Sequence, residues 1–291
     1  MEQQSIALCG IVRNEIRSIV EWLAYNKALG FTDIVIYDND STDGTGEVLQ
    51  ALDDAGELMR LEWPHSVGER PQRLAYEHMR KYSSADWIAF FDADEFLHLR
   101  EDDTIAGFLQ RFEPEVSAIA VNWIVFSSGG EQRYRPLPVI ERFTTALRPR
   151  AALNMSVKAI GRRAALSGTG IHRVAVAEGR YVTPSGKDVD FRTLRSTRSA
   201  DVEVAALHHY TVKSLEEWEE KRQRGHANSQ DPGKKLRKLD AGFDEFNGGG
   251  RHNTELLAWS GRMRAEAMRL RGILLAAGVS YPVWPFVEAE S

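Results

Sequence analysis

The sequence predicts an α/β fold built on a mostly parallel central sheet flanked by helices. Three observations carry this expectation. Over the first 125 residues, short apolar runs alternate with segments whose apolar residues recur at helical spacing. The runs are apolar on both faces, as strands covered by helices from two sides must be. The last third of the chain is helical in pattern, with no internal repeat and no linker long enough to demand an independent second domain.

Taken in order, Ile6–Val12 is the first buried strand. A helix follows with Ile16, Ile19, Val20 and Leu23 on one face and Gly30 as its stop. Ile34–Tyr37 is the second strand, after which Asp43 is placed to cap a helix running to about Gly56. Leu58–Trp63 is a third strand, and Pro71 suits the first turn of a helix to about Tyr82. Trp87–Phe91 is a fourth, wholly apolar strand and Val116–Phe126 a longer fifth. From Gly129 to Ala206 no period is clear; short strands such as Val139–Phe143 lie among turn signals at Pro136, Pro138 and Pro184-Ser185-Gly186. Ser214 and Glu217 form a capping box that opens a helix through about Ala227. Gly248-Gly249-Gly250 then break the chain before a final helix from about Thr254 to Ala277. The expected organisation is one α/β domain over residues 1–230 with a helical extension, 231–291, packed on it.

Composition narrows the function classes. The chain has 291 residues, with 37 Lys+Arg against 42 Asp+Glu and a net charge of −5, which argues against electrostatic coating of nucleic acid. At 43% hydrophobic and 27% charged it is neither disordered nor fibrous. The single cysteine, Cys9, can form no internal disulfide, which fits a reducing compartment. No apolar run is long enough to cross a bilayer, and the N-terminus lacks a basic stretch followed by an apolar block. The expected location is cytoplasmic.

Open α/β sheets place ligands at the carboxyl ends of their strands. Strand one runs into Arg13-Asn14-Glu15, strand two into Asp38-Asn39-Asp40-Ser41-Thr42-Asp43-Gly44, and strand four into Asp92-Ala93-Asp94-Glu95. Each cluster alone is made of ordinary turn formers. On parallel neighbouring strands all three meet on one rim. In an extended backbone Asp92 and Asp94 would point the same way. Two unpaired carboxylates so placed repel unless a cation lies between them, and hard oxygen ligands favour Mg2+ or Mn2+.

The order of these pieces resembles the GT-A nucleotide-sugar glycosyltransferases, most closely the group related to glycosyltransferase families 2 and 92. The matching segments are Val12-Arg13-Asn14-Glu15, Glu21-Trp22-Leu23, Tyr37 to Asp43, Trp87 to Phe96, and His209-Tyr210-Thr211-Val212-Lys213-Ser214, spanning about residues 5–230. The last 60 or so residues match nothing in it. The resemblance implies a GT-A, Rossmann-like fold, a nucleotide-sugar donor and a glycan or glycoconjugate acceptor. It implies that Arg13, Asn14, Glu15, Asp38, Asn39 and Ser41 line the nucleotide pocket. Asp92 and Asp94 would hold Mn2+ or Mg2+ on the diphosphate, with uridine diphosphate the commonest leaving group of the class.

In the resembled fold a histidine from the late segment can complete the metal shell, which singles out His209; a structural histidine bonded to backbone is the alternative. His208 is the neighbour most easily mistaken for it. Lys213 is placed to pair with a phosphate, or else is a solvated side chain near a helix start. His172 could line the acceptor side. His65, His78, His98, His226 and His252 read as ordinary polar residues. Direct inverting transfer needs a base for the acceptor hydroxyl. Glu131, ending the turn Phe126-Ser127-Ser128-Gly129-Gly130-Glu131, is the first choice because its position resembles the acceptor loop of inverting GT-A enzymes; Glu141 is the second.

The basic cluster Lys234-Lys235-Leu236-Arg237-Lys238 could touch an anionic membrane surface or a lipid-linked acceptor, and is otherwise a solvated segment. The final helix, with Leu256, Leu257, Met263, Met268 and Leu275, would pack on the domain or on a second copy. The reading is a metal-dependent glycosyltransferase, a hexosyltransferase acting in glycan or polysaccharide synthesis. One rival is a nucleotidyltransferase that makes the sugar nucleotide, although Arg13-Asn14-Glu15 carries no glycine run. A second is a non-catalytic sugar- or nucleotide-binding module, which loss of a metal carboxylate would favour.

Overall fold

The computed structural model describes residues 4–64, 70–224, 243–247 and 250–281. In chain order the elements begin β1 (Ile6–Val12), α1 (Ile19–Ala28), β2 (Asp33–Asp38), α2 (Thr45–Asp54), β3 (Met59–Glu62), α3 (Pro71–Tyr82) and β4 (Trp87–Phe90). They continue with β5 (Glu95–Leu99), α4 (Ile105–Gln110), β6 (Val116–Val125), the single helical turn α5 (Val139–Arg142), β7 (Thr145–Leu147) and β8 (Val157–Arg162). Then come β9 (Leu166–Thr169), β10 (Val174–Val176), β11 (Arg180–Val182), β12 (Ala205–His209) and α6 (Leu215–Arg224). A helical turn α7 (243–246), β13 (Gly250–His252) and α8 (Ser260–Ala276) complete the set.

The central sheet runs β3-β2-β1-β4-β8-β6-β12-β5, with β11 sharing the edge of β6. Its N-terminal half is parallel, β2 and β4 flanking β1 in the same sense. β8 enters antiparallel between β4 and β6. β12 is parallel to β6, and β5 closes the edge antiparallel to β12. The expected α/β architecture is therefore present, its sheet parallel on one side and mixed on the other.

The central strands are apolar runs because both their faces are covered; every residue of β4 and of β6 is buried. α1 is buried over Ile19–Asn26 because the sheet lies on one side of it and α8 on the other. α8 offers Met263, Ala267, Leu270 and Leu274, spaced four, three and four, to the same core that holds α1. Met268 and Leu275, expected on the packed stripe, face solvent instead, being about a third of a turn away, and Leu257 is also exposed. Before α8, Glu255–Trp259 is a 3-10 helix, so the regular helix starts later than its apolar pattern suggests. The expected domain boundary near residue 230 lies outside the described residues, as do His65, His226, the basic cluster Lys234–Lys238, and Gly248 and Gly249.

Residues Val139–Phe143 read as a strand but form the turn α5. The reason lies more than a hundred residues upstream. The buried carboxylate of Glu21 accepts the Val139 and Ile140 backbone N–H groups at 2.8 and 3.2 Å, satisfying donors that a strand would have given to a neighbour. Two further elements escaped the pattern, β5 directly after Asp94 and α4, whose Thr104 caps the Gly107 N–H. No helix among the described residues is long and apolar enough to cross a membrane.

Candidate active site

The ends of β1, β2 and β4 lie side by side, so the three polar clusters do share one rim. The first two are laced together. Asn14 and Asp40 take positive φ angles of 55° and 56°, a conformation Asn and Asp tolerate better than other side chains. The Asn14 N–H donates to Ser41 Oγ at 3.1 Å, and Asn14 Oδ1 accepts the Thr42 N–H at 2.7 Å. Glu15 and Ile16 donate their N–H groups to Thr45 Oγ1 and Asp43 Oδ2. Asp43 sits one residue before the α2 cap position, which Gly44 occupies at φ 97°. Asn14 and Ser41 thus hold the rim's backbone in shape.

Asp38 is buried, and its Oδ2 accepts from the Arg60 guanidinium at 2.7 and 3.2 Å, while Oδ1 takes the Ser41 N–H at 3.3 Å. Asn39 donates its side-chain amide to the Trp63 carbonyl at 2.8 Å. Neither partner was evident from spacing, because β3 and the residue that follows it supply them from the neighbouring strand.

At the end of β4 the backbone is not extended. The Glu95 N–H bonds the Asp92 carbonyl at 3.0 Å, a turn that separates the surroundings of the two acids. Asp92 Oδ1 accepts from Lys158 Nζ at 2.8 Å, Gln72 at 2.6 Å and the Tyr76 hydroxyl at 3.1 Å. Asp94 Oδ2 accepts from Lys221 Nζ at 2.7 Å, and its Oδ1 lies 3.4 Å from His209 Nε2. This turn breaks the strand alternation on which Asp92 and Asp94 were expected to point the same way. Each carboxylate has its own cation.

Burial alone would raise the Asp94 carboxyl, but Lys221 and His209 outweigh it and hold it well below the usual carboxylate range. Lys158 is fully buried; burial opposes its charge, yet Asp92 and Glu95 prevail and its pKa lies above that of an ordinary lysine. Glu95, buried beneath them, is pushed well above the usual range by burial in spite of Lys158. His209 packs against Trp123 with ring centroids 4.2 Å apart and the rings tilted by 49°, and its Nδ1 is buried with no hydrogen-bond partner. His172 joins the same neighbourhood through Val157 and Trp123, and burial lowers it to about 4.

The third wall is the start of α6. The capping box forms as the spacing predicts, with the Glu217 N–H on Ser214 Oγ at 3.3 Å and the Ser214 N–H returned to Glu217 Oε2 at 3.2 Å. Glu217 is further clamped by Arg142 at 2.8 and 2.9 Å. Lys213, at φ 52°, donates to Ser18 Oγ at 3.0 Å and lies 3.7 Å from Glu15. Between residues 14–18, Asp43, Thr211–Lys213 and the Glu217–Lys221 face of α6 is a cleft of about 330 Å³.

Glu131 ends a turn in which Gly129 and Gly130 take φ angles of 60° and 86°. Its carbonyl accepts the Leu215 N–H at 3.0 Å, which ties this turn to the head of α6, and its side chain pairs with Arg135 at 2.6 Å. Glu141 lies elsewhere. Both its oxygens are held by Arg264 of α8, at 2.7 and 2.5 Å, so it fastens α5 to the C-terminal helix. Sequence reasoning missed Lys158, Gln72, Tyr76 and Lys221. A lysine inside the apolar run Val157–Ile160 was the available signal for the first, and Lys221, one turn beyond Glu217 on a capped helix, for the last.

With this geometry in place, the sequence relatives decide the family. The family model described as Glycosyltransferase family 92 matches residues 5–245, most of the chain. The chain belongs to glycosyltransferase family 92. A family 92 protein of Oryza sativa subsp. japonica is 30% identical over 148 residues, covering 49% of this chain and 25% of that one. A family 92 protein of Ricinus communis is 34% identical over 95 residues, covering 32% and 17%. The chain thus spans a quarter or less of the length of these curated family 92 relatives. Among solved structures, the mannosyltransferase PcManGT of Pyrobaculum calidifontis, in complex with GDP-Man and Mn2+, is 14% identical. It covers 96% of this chain and 76% of its own, at a TM-score of 0.44. Glucosyl-3-phosphoglycerate synthase of Mycobacterium tuberculosis, in complex with Mn2+, UDP-glucose and phosphoglyceric acid, is 15% identical. It covers 69% and 74%, at a TM-score of 0.35.

Proposed function

We propose that this family 92 chain transfers a sugar from a nucleotide-diphosphate donor, uridine diphosphate the leaving group, to a hydroxyl of a glycan or glycoconjugate with inversion. The observation that carries the reading is that the segments after β1 and β2 line one cleft with Lys213 and Lys221, and that Lys221 in turn holds Asp94, beside His209, at the end of β4. Such a rim offers cationic and hydrogen-bonding groups to a diphosphate and carboxylates to a metal.

The donor set suits Mn2+ or Mg2+. Asp94 is a buried carboxylate that already attracts a cation, the Lys221 ammonium, and His209 presents an imidazole beside it. Asp94 and His209 would hold the ion, joined by Asp92 only on its release from Lys158, and the ion would supply charge stabilisation for the departing diphosphate. Lys213, at the head of α6, would donate to a phosphate oxygen. Arg13, Glu15, Asp38 and Asn39 would form the base and ribose side, shaped by the Asn14–Ser41 lacing. Glu131 would take the proton of the acceptor hydroxyl as its oxygen bonds the anomeric carbon, the bond to the diphosphate breaking with its electron pair leaving on the phosphate oxygen.

The decisive experiment is calorimetry of uridine and guanosine diphosphates with and without Mn2+, followed by incubation with their sugar nucleotides and acceptor glycans. Metal-dependent binding of one nucleotide and a β-linked product from an α-linked donor are expected. Failure of every nucleotide diphosphate to bind in the presence of metal would overturn the reading.

A further inference from the structure

We propose that His98, His208 and Glu255 form a binding site for one transition-metal cation of the zinc class, separate from the strand-four carboxylates, which fastens the C-terminal segment to the edge of the sheet. The three residues come from β5, β12 and the 3-10 helix Glu255–Trp259. In the β5–β12 ladder His98 pairs with Ala206 and Phe96 with His208, so the two histidines are diagonal neighbours on one face. His209, one residue on, points to the opposite face, where it meets Asp94 and Trp123.

The ligand atoms have the spacing of a coordination polyhedron and not of hydrogen bonds. Among the described residues this is the group of three whose His and carboxylate ligand atoms lie within 4.8 Å of one another. His208 Nε2 and His98 Nδ1 lie 3.4 and 3.6 Å from the same Glu255 oxygen, Oε2. A charged N–H···O bond closes to about 2.7–2.9 Å. The edge of a tetrahedron with metal–ligand bonds near 2.0–2.1 Å is about 3.3 Å.

The histidines also lack other employment. His208 is fully buried with neither ring nitrogen in a hydrogen bond, and His98, also buried, leaves Nδ1 unpartnered. A buried imidazole nitrogen without a partner is costly, and a metal would take up the lone pair of an unprotonated one. The carboxylate is held from outside. Arg100 reaches both its oxygens at 2.9–3.1 Å, and Asn253 donates to Oε2 at 2.8 Å. Such outer partners are what orient a metal-binding carboxylate. A cation entering would draw Oε2 away from one of these donors and leave Arg100 on Oε1. Two imidazoles and one carboxylate favour zinc over the manganese or magnesium proposed for Asp94. Glu255, about one-third exposed, leaves an approach from solvent.

The test is metal analysis of the full chain, purified without a histidine tag, with elemental mass spectrometry and with Co2+ replacing zinc. About one zinc per chain is expected, with the visible bands of a four-coordinate Co2+ ion. Asp94→Asn should keep both. His98→Gln and Glu255→Gln should weaken zinc binding by about tenfold or more. Because His208→Gln sits fully buried and could fail to fold, the partly exposed Glu255 carries the decisive substitution. A chain that takes up no zinc or cobalt, one whose uptake survives Glu255→Gln and His98→Gln, or one that loses it only in Asp94→Asn overturns the proposal.

Discussion

Lys221 places its ammonium 2.7 Å from Asp94 Oδ2, a contact that spans 127 residues of chain and joins α6 to the end of β4. The acid most suited to a divalent cation is thus already neutralised by a late helix, and the same lysine holds the Thr211 carbonyl at 3.0 Å. Any metal on Asp94 must share it with Lys221 or displace it, so metal binding and the position of α6 are coupled.

That coupling predicts two opposite outcomes. Asp94→Asn keeps the size of the side chain but removes its charge, and calorimetry should show that nucleotide diphosphate affinity no longer responds to Mn2+. Lys221→Met removes the competing cation, so Mn2+ alone should bind more tightly, by about tenfold if the displaced pair is worth about 1.4 kcal/mol. Equal metal affinity in Lys221→Met and the parent protein would show that the ion lies elsewhere.

Asp38 was expected to face the nucleotide, and it spends one oxygen on Arg60. Asp38→Ala leaves a mostly buried guanidinium without its partner and should destabilise the fold by about 3 kcal/mol in urea denaturation. Nucleotide affinity separates the two roles. It should fall in Asp38→Ala and hold in Arg60→Met if the carboxylate also meets ribose or base. Parallel losses in both variants would make Asp38 a support for the rim alone.

The pattern of what was legible follows from the range of the interactions. β1, β4 and β6 could be read because both faces are apolar, a property written in consecutive residues. β5 could not, since Glu95 and His98 look polar in sequence and are buried only because Lys158, His208 and Glu255 arrive from elsewhere. The capping box at Ser214 and Glu217 is local and was read correctly, whereas α5 is set by Glu21 and was misread as a strand. Among the site residues, the acids were visible at strand ends but their cations were not. Lys158 and Lys221 lie on elements whose approach depends on the folded sheet.

Two buried carboxyls predict opposite pH effects. Burial raises Glu21 to about 7, with the Val139 and Ile140 N–H groups working against it. Its folded form holds the proton more tightly than the unfolded chain, so its contribution to stability is complete below about pH 4.5 and is lost as pH rises through 7. Glu217 is the reverse: burial would raise it, but Arg142 outweighs that and lowers it to about 2. Its contribution is present above about pH 4.5 and lost as pH falls toward 2. Each term amounts to about 3 kcal/mol. Urea midpoints across pH should therefore lose their slope between 4.5 and 7 in Glu21→Gln, and between 2 and 4.5 in Glu217→Gln. An unaltered slope in either variant removes that residue from the titration.

The two glutamates considered for proton abstraction differ in what already binds them, and this sets the last expectation. Glu141 gives both oxygens to Arg264, so Glu141→Gln should loosen α5 from α8, lowering stability by about 1–3 kcal/mol while leaving turnover per folded molecule near the parent value. Glu131 pairs its side chain with the half-exposed Arg135, and its own carbonyl fixes the head of α6. An exposed pair of this kind is worth little, so Glu131→Gln should scarcely change stability. Removing a general base lowers turnover by about 10²–10⁴-fold, and donor affinity, assigned above to other residues, should hold. The comparison is made with one sugar nucleotide and one acceptor, reading product and free donor hydrolysis separately. Hydrolysis should suffer less than transfer, because water can approach without a positioned base. If Glu131→Gln turns over normally, the base is a different residue. If the product keeps the donor's anomeric configuration, a single-displacement base has no place in the reaction and Glu131 serves only to anchor α6.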